Sequence, residues 1–315
     1  FTIVSVPYSS LTPRITSDSE ERTKLTTARM IGASFGTLLM SSLGFPIINY
    51  FGQNDESLGI FYLSSFAAFF AVFILYITYA SVEESSTEVV KEIYPSISKL
   101  ILSILKNYPF WIVFSSILIL GSTTIMFNKN LIYYIKYALD LHSYQGLVLG
   151  LSGLSSFASI PFWSYVSLKI GKRNTWQISM SLLLLAFALF YFYQINSLLE
   201  LIIIVCLIGL ASGAGGVLFW SMLPDTIEYG EWKSGIRSES SLYGFMTFAQ
   251  KSSIAVAALI LGVLLTLINF SPNEVQTPET ISGLKNIMSL IPASGIAISI
   301  FLMYFYPINS EYHRE

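Results

Sequence analysis

Residues 182–193 read LLLLAFALFYFY, apolar on every side. A membrane-crossing β-strand would alternate polar and apolar positions over about ten residues, so this stretch is helical. It sits in an uncharged run from 174 to 199. That run exceeds the roughly 20 residues a helix needs to cross about 30 Å of hydrocarbon at 1.5 Å per residue.

The same reading applies along the chain. Further uncharged runs occupy 30–54, 57–82, 107–128, 141–168, 201–224, 252–273 and 286–310, which predicts eight spanning helices. Residues 240–250 are also uncharged, so the seventh helix is expected to start near Ser240 and to enclose Lys251. Over all 315 residues, 53% are hydrophobic and only 11% are charged, with a mean hydropathy of +0.63. Soluble domains carry about 25% charged residues, so the main partner of this chain is a lipid bilayer. One cysteine and a net charge of −2 exclude a disulfide scaffold and a basic nucleic-acid binder. Two histidines and the lack of a glycine-rich strand-to-helix turn leave no metal, nucleophile or phosphate-loop constellation, and no cofactor is expected. Phe1 to Ser9 is apolar, too short to span, and lacks a signal-peptide pattern. It reads as the end of an earlier helix.

Lysine and arginine placement orients the spans. Taking alternate sides, thirteen of the seventeen cations fall in 10–29, 82–106, 169–173, 225–239 and the C-terminus. Both ends of the chain are therefore expected in the cytoplasm, with the loops around Asp55, Asn196 and Pro272 outside. In 82–106 a glutamate-rich start precedes Ile93, Ile97, Leu100, Ile101, Ile104 and Leu105, the spacing of an amphipathic helix at the cytoplasmic interface.

Small residues recur at helical spacing at Gly32 and Gly36, at Gly146, Gly150 and Gly153, and at Gly209, Gly213 and Gly216. Such faces are mostly packing seams; the stretch 209–216 with Pro224 beyond it is also readable as a bending point. Lys251 is the ionisable residue deepest in a span, at a cost of at least about 2.5–3.5 kcal/mol on insertion scales. Either an ion pair holds it for assembly or it lines a solute path. Thr247 lies one turn before it, and Trp220, inside another span, is placed to pack or to face that path. Asp225, Glu228 and Glu231 share roughly one helical face and precede Lys233 and Arg237. They form either a solvated helix end or a cytoplasmic gate, with Arg14, Arg22 and Arg29 as candidate partners and Arg29 the deepest.

Two stretches resemble a known family. PYSSLTPRITSDSEERTKLTTAR, residues 7–29, is similar to the fourth helix and following loop of the glycoside–pentoside–hexuronide:cation symporters. MLPDTIEYGEWKSGIRSESSLYGFMTFAQK, residues 222–251, resembles their tenth-to-eleventh-helix segment. The resemblance implies the all-α major facilitator fold: two six-helix bundles around a cavity open to one side at a time. Eight complete helices plus the end of another would then be helices 4 to 12 of twelve. Residues 1–81 would belong to the N-terminal bundle, 82–106 to the central cytoplasmic loop, 107–310 to the C-terminal bundle and 311–315 to a tail. It further implies a monomeric sugar or glycoside carrier in the inner or plasma membrane, driven by Na⁺ or H⁺, with Lys251 joining sugar and cation sites. Thr2 and Ser5 would offer oxygens there, Ser5 standing where relatives often have Asp or Asn. A same-fold carrier of a lipid or organic anion, or an uncoupled facilitator, is the alternative.

Overall fold

The computed structural model describes residues 7–8, 11–16, 18–52, 55–81, 96–272 and 274–308. After a helical turn at Thr12–Ile15 come α1 (Ser19–Gly52), α2 (Glu56–Ser81), α3 (Ile97–Lys106), α4 (Tyr108–Tyr137), α5 (Gln145–Ile170), α6 (Lys172–Phe192), α7 (Leu198–Ser234), α8 (Glu239–Leu267) and α9 (Pro278–Tyr304). No strand occurs among the described residues. Among them seven helices, α2 and α4 to α9, are long and apolar enough to cross a membrane. Of the eighth expected span, 30–54, residues 30–52 lie in α1, which is not one of these seven.

Helix boundaries follow local chemistry. Asn107 caps α4 by accepting from Phe110 N at 3.2 Å, with Pro109 in the first turn. Ser197 accepts from Glu200 N at 3.3 Å, and the Glu200 carboxylate accepts from Asn196 N at 2.8 Å, a reciprocal cap. Gly235 ends α7 in the left-handed region at φ 66°, where a β-carbon would be penalised. Pro224 does not interrupt α7, which runs on to Ser234.

The core lies in the bundle from α4 to α9, where α5 packs along α7, and α9 lies against α4 and α6. The glycines explain the α5–α7 approach. A β-carbon on Gly209 would stand 2.6 Å from Ser152 O, and one on Gly213 would stand 2.6 Å from Ser156 O. This half of the glycine pattern is a packing seam. By contrast, nothing lies within 4 Å of a β-carbon on Gly32, Gly36, Gly146, Gly150 or Gly153, so those faces are open. Trp176 is fully buried and donates to Ser299 Oγ at 3.2 Å.

Residues 82–95 of the expected amphipathic connection lie outside the described residues, and the rest forms α3. It docks on α7 through Ser103 Oγ, 2.8 Å from Ser234 Oγ. The Asn107 amide then donates to Thr226 O at 2.8 Å.

Candidate functional site

Among the described residues, α1 meets the bundle along its first turns. Arg22, Thr23 and Thr26 are buried and Thr27, Arg29 and Met30 half-buried, while beyond them Phe35, Leu39 and Met40 are exposed. The buried positions recur at three- and four-residue steps, one stripe of a helix. This stripe runs antiparallel to α7. Arg22 pairs with Glu228, Arg29 stands over Trp220, and Met30 faces Gly216. On the neighbouring helix, Thr27 Oγ1 lies 2.6 Å from Ser164 Oγ of α5. Among the described residues the two sides touch up to Met30, and beyond it Gly32, Phe35, Gly36, Leu39 and Met40 of α1 are exposed, so the contact ends there as a wedge.

Arg29 sits at the vertex. Its guanidinium carbon is 4.6 Å from the Trp220 ring centroid, and Trp220 stacks on Tyr243 of α8 at 6.2 Å and 15°. Cation–π contacts are worth about 0.5–1 kcal/mol when exposed and about 2 when desolvated. Arg22 is 1% exposed, and its Nε donates to Thr16 O at 2.8 Å. Among the described residues, one buried nitrogen on each guanidinium, Nη1 of Arg22 and of Arg29, has no hydrogen-bond partner. The Tyr243 hydroxyl and Thr26 Oγ1 are in the same condition. Four such atoms on neighbouring helices leave polar capacity in the wedge floor, since buried donors and acceptors are ordinarily paired.

The three carboxylates take separate partners. Glu228 reaches across to Arg22 of α1. Asp225, 3% exposed, accepts from Lys172 Nζ at 2.7 Å, and Lys172 also donates to Ser221 O at 2.8 Å. Glu231 pairs with Arg237 at 2.9 Å, and Arg237 also contacts Glu239. Burial alone would lower the Arg237 pKa, but the Glu239 and Glu231 charges outweigh it and raise it above its ordinary value. Only one of the three expected cross-bundle pairs is present among the described residues. The reason is geometric: steps of three carry successive carboxylates around α7, so each faces a different neighbour.

Several expected site residues stand elsewhere. Lys251 is exposed on α8. The cation that the described residues enclose most fully in the bundle contact is Arg22, with Arg29 half-buried. Thr247 is buried, and its hydroxyl donates to Tyr243 O of its own helix at 2.9 Å. Arg14 lies in the turn Thr12–Ile15, its side chain outside what is described, and Thr2 and Ser5 lie outside the described residues altogether. Asp225 belongs to the body of α7, not to a loop or its margin. Sequence reasoning missed Tyr243 and the Thr27–Ser164 contact, and it read Lys172 only as an orientation charge. A buried carboxylate on α7 requires a cation, but nothing in sequence spacing says which.

The pattern of the MFS/sugar transport protein family matches residues 1–310. The chain is 26% identical over its whole length to the glucuronide carrier protein homolog of Escherichia coli, covering 69% of that protein. It is 29% identical, over 99% of its length, to a putative sulfoquinovose importer of Salmonella typhimurium, covering 66% of it. It is 25% identical, over 98% of its length, to the isoprimeverose transporter of Lactiplantibacillus pentosus, covering 65% of it. The chain thus spans about two thirds of the length of these relatives. The helical bundle, its membrane-length apolar helices and this match agree: the chain belongs to the MFS/sugar transport protein family, whose members are integral membrane transporters and not enzymes.

Proposed function

We propose that this protein moves a sugar or glycoside across the membrane by alternating access, coupled to Na⁺ or H⁺. The observation that carries the reading is the Arg29–Trp220 pair at the vertex of a wedge closed on one side and open on the other. An aromatic face with a guanidinium beside it offers a sugar both stacking and hydrogen bonds. In this reading residues 1–81 belong to one bundle and 107–310 to the other, 82–106 joins them in the cytoplasm, and 311–315 is a cytoplasmic tail. The Arg22–Glu228 contact then closes the cytoplasmic side of a monomeric inner-membrane or plasma-membrane carrier. Lys251, on the open face of α8, links cation and solute.

The relatives named for glucuronide, isoprimeverose and sulfoquinovose support a sugar-type solute. Two of those solutes carry an acidic group. The unpartnered Nη1 atoms of Arg22 and Arg29 favour, as a second reading, an acidic solute over a neutral one.

The test is uptake of methyl β-D-glucuronide, isoprimeverose and sulfoquinovose into vesicles under an imposed Na⁺ or pH gradient. Concentrative uptake of at least one is expected, abolished by Lys251→Ala with insertion intact. Uptake of none contradicts the sugar reading; concentrative uptake unchanged by Lys251→Ala contradicts the coupling role.

A further inference from the structure

A cavity of about 370 Å³ lies inside the bundle, walled by α4, α5, α6, α7 and α9, within the roughly 300–1,000 Å³ range of small-molecule sites. None of the residues named at the wedge vertex lines it. Its polar groups are Thr123, Thr124 and Asn128 from α4, Ser152 and Ser156 from α5, and Ser212 from α7; the Thr123 hydroxyl donates to Leu120 O at 3.0 Å. Among the described residues, no charged side chain lines it. One wall is aromatic: Phe127 and Phe187 meet edge to face with centroids 5.1 Å apart.

The hydrogen-bonding capacity of this lining is largely unspent. Ser212 donates its hydroxyl proton to Gly209 O at 2.9 Å, which leaves its oxygen as an acceptor. Among the described residues, the side chains of Thr124, Asn128, Ser152 and Ser156 make no hydrogen bond. Hydroxyls and one carboxamide suit a ligand that both donates and accepts, and the phenyl faces suit its C–H surface. An ion would find no counter-charge here, and an apolar ligand would leave six polar groups without water. The chemistry that fits is a neutral polyhydroxylated ring. Access is also built in: Thr124 and Asn128 are exposed at the rim, and Gly153 carries open space where a side chain would stand. Gly146 and Gly150 continue that open face along α5.

We infer that this cavity is a sugar-ring subsite within the C-terminal bundle, separate from the Arg29–Trp220 vertex. The inference rests on the transport reading above. Because Asn128 is exposed, Asn128→Cys in a Cys206→Ala background keeps the fold and reports occupancy by its rate of alkylation with N-ethylmaleimide. The probes are methyl β-D-glucuronide, isoprimeverose and sulfoquinovose, with betaine as the osmolyte control, and uptake of each is measured in parallel in vesicles carrying the Cys206→Ala protein with Asn128 intact. A sugar that is taken up is expected to slow alkylation at least fivefold, and betaine is not. Gly153→Ile, which fills the rim where space is open, is expected to raise the KM of uptake at least tenfold with normal thermal unfolding. If a sugar is taken up while alkylation proceeds at the same rate in its presence, the subsite is wrong and the transport reading stands. If Gly153→Ile folds and transports with unchanged KM, the subsite is likewise wrong. If none of the sugars is taken up, the transport reading fails and the subsite falls with it. Should Gly153→Ile fail to fold, the alkylation result alone decides.

Discussion

The guanidinium of Arg29 stands 4.6 Å from the ring centroid of Trp220, joining a helix from the chain's first third to one from its last third. Shape and charge both matter in such a contact, since a planar guanidinium stacks on a ring as an ammonium does not. Arg29→Lys is therefore expected to raise the KM for the transported sugar about tenfold or more. Trp220→Ala is expected to do the same, whereas Trp220→Phe keeps most of the affinity. Uptake kinetics in vesicles check this; a wild-type KM for the Arg29→Lys variant would remove Arg29 from the solute path.

The Lys172–Asp225 pair is buried on both sides, 11% and 3% exposed. Removing one member strands the other charge, which typically costs about 3–5 kcal/mol, while removing both with apolar residues of similar volume costs far less. Asp225→Ala and Lys172→Ala are each expected to lower the unfolding temperature in detergent clearly. Lys172→Met with Asp225→Leu recovers most of that loss. Equal destabilisation by the single and double variants would show that the pair is not coupled.

Two glycines separate seam from open face. Gly213→Ala pushes a methyl group to 2.6 Å from the Ser156 carbonyl, a backbone atom that cannot step aside alone, so folded yield should fall. Gly146→Ala meets nothing within 4 Å and gains helix propensity of up to about 1 kcal/mol, so its yield should match or exceed wild type. Size-exclusion profiles of the two variants distinguish these outcomes.

The helical, membrane-embedded character was legible because it depends on composition and run length, which are local. The extension of α8 back to Glu239 was legible for the same reason, and the family because two motifs survive in order. Contacts between distant segments were not. Spacing put Asp225, Glu228 and Glu231 near one face, yet their partners Lys172, Arg22 and Arg237 are chosen by how α1, α6 and the turn after α7 pack around α7. Lys251 drew attention because a charge in an apolar run is conspicuous in one dimension. Arg29, at the edge of such a run, is less so, and its enclosure depends on a helix crossing that no periodicity announces.

The central claim is that the contact between α1 and the α5–α7 pair opens and closes during transport. Thr27 Oγ1 and Ser164 Oγ, 2.6 Å apart across that contact, are close enough for a disulfide once both are cysteine. In a Cys206→Ala background, Thr27→Cys with Ser164→Cys is expected to lose sugar uptake on oxidation and to regain it on reduction, with each single variant unaffected by either treatment. Full uptake by the oxidised, cross-linked double variant would contradict the account.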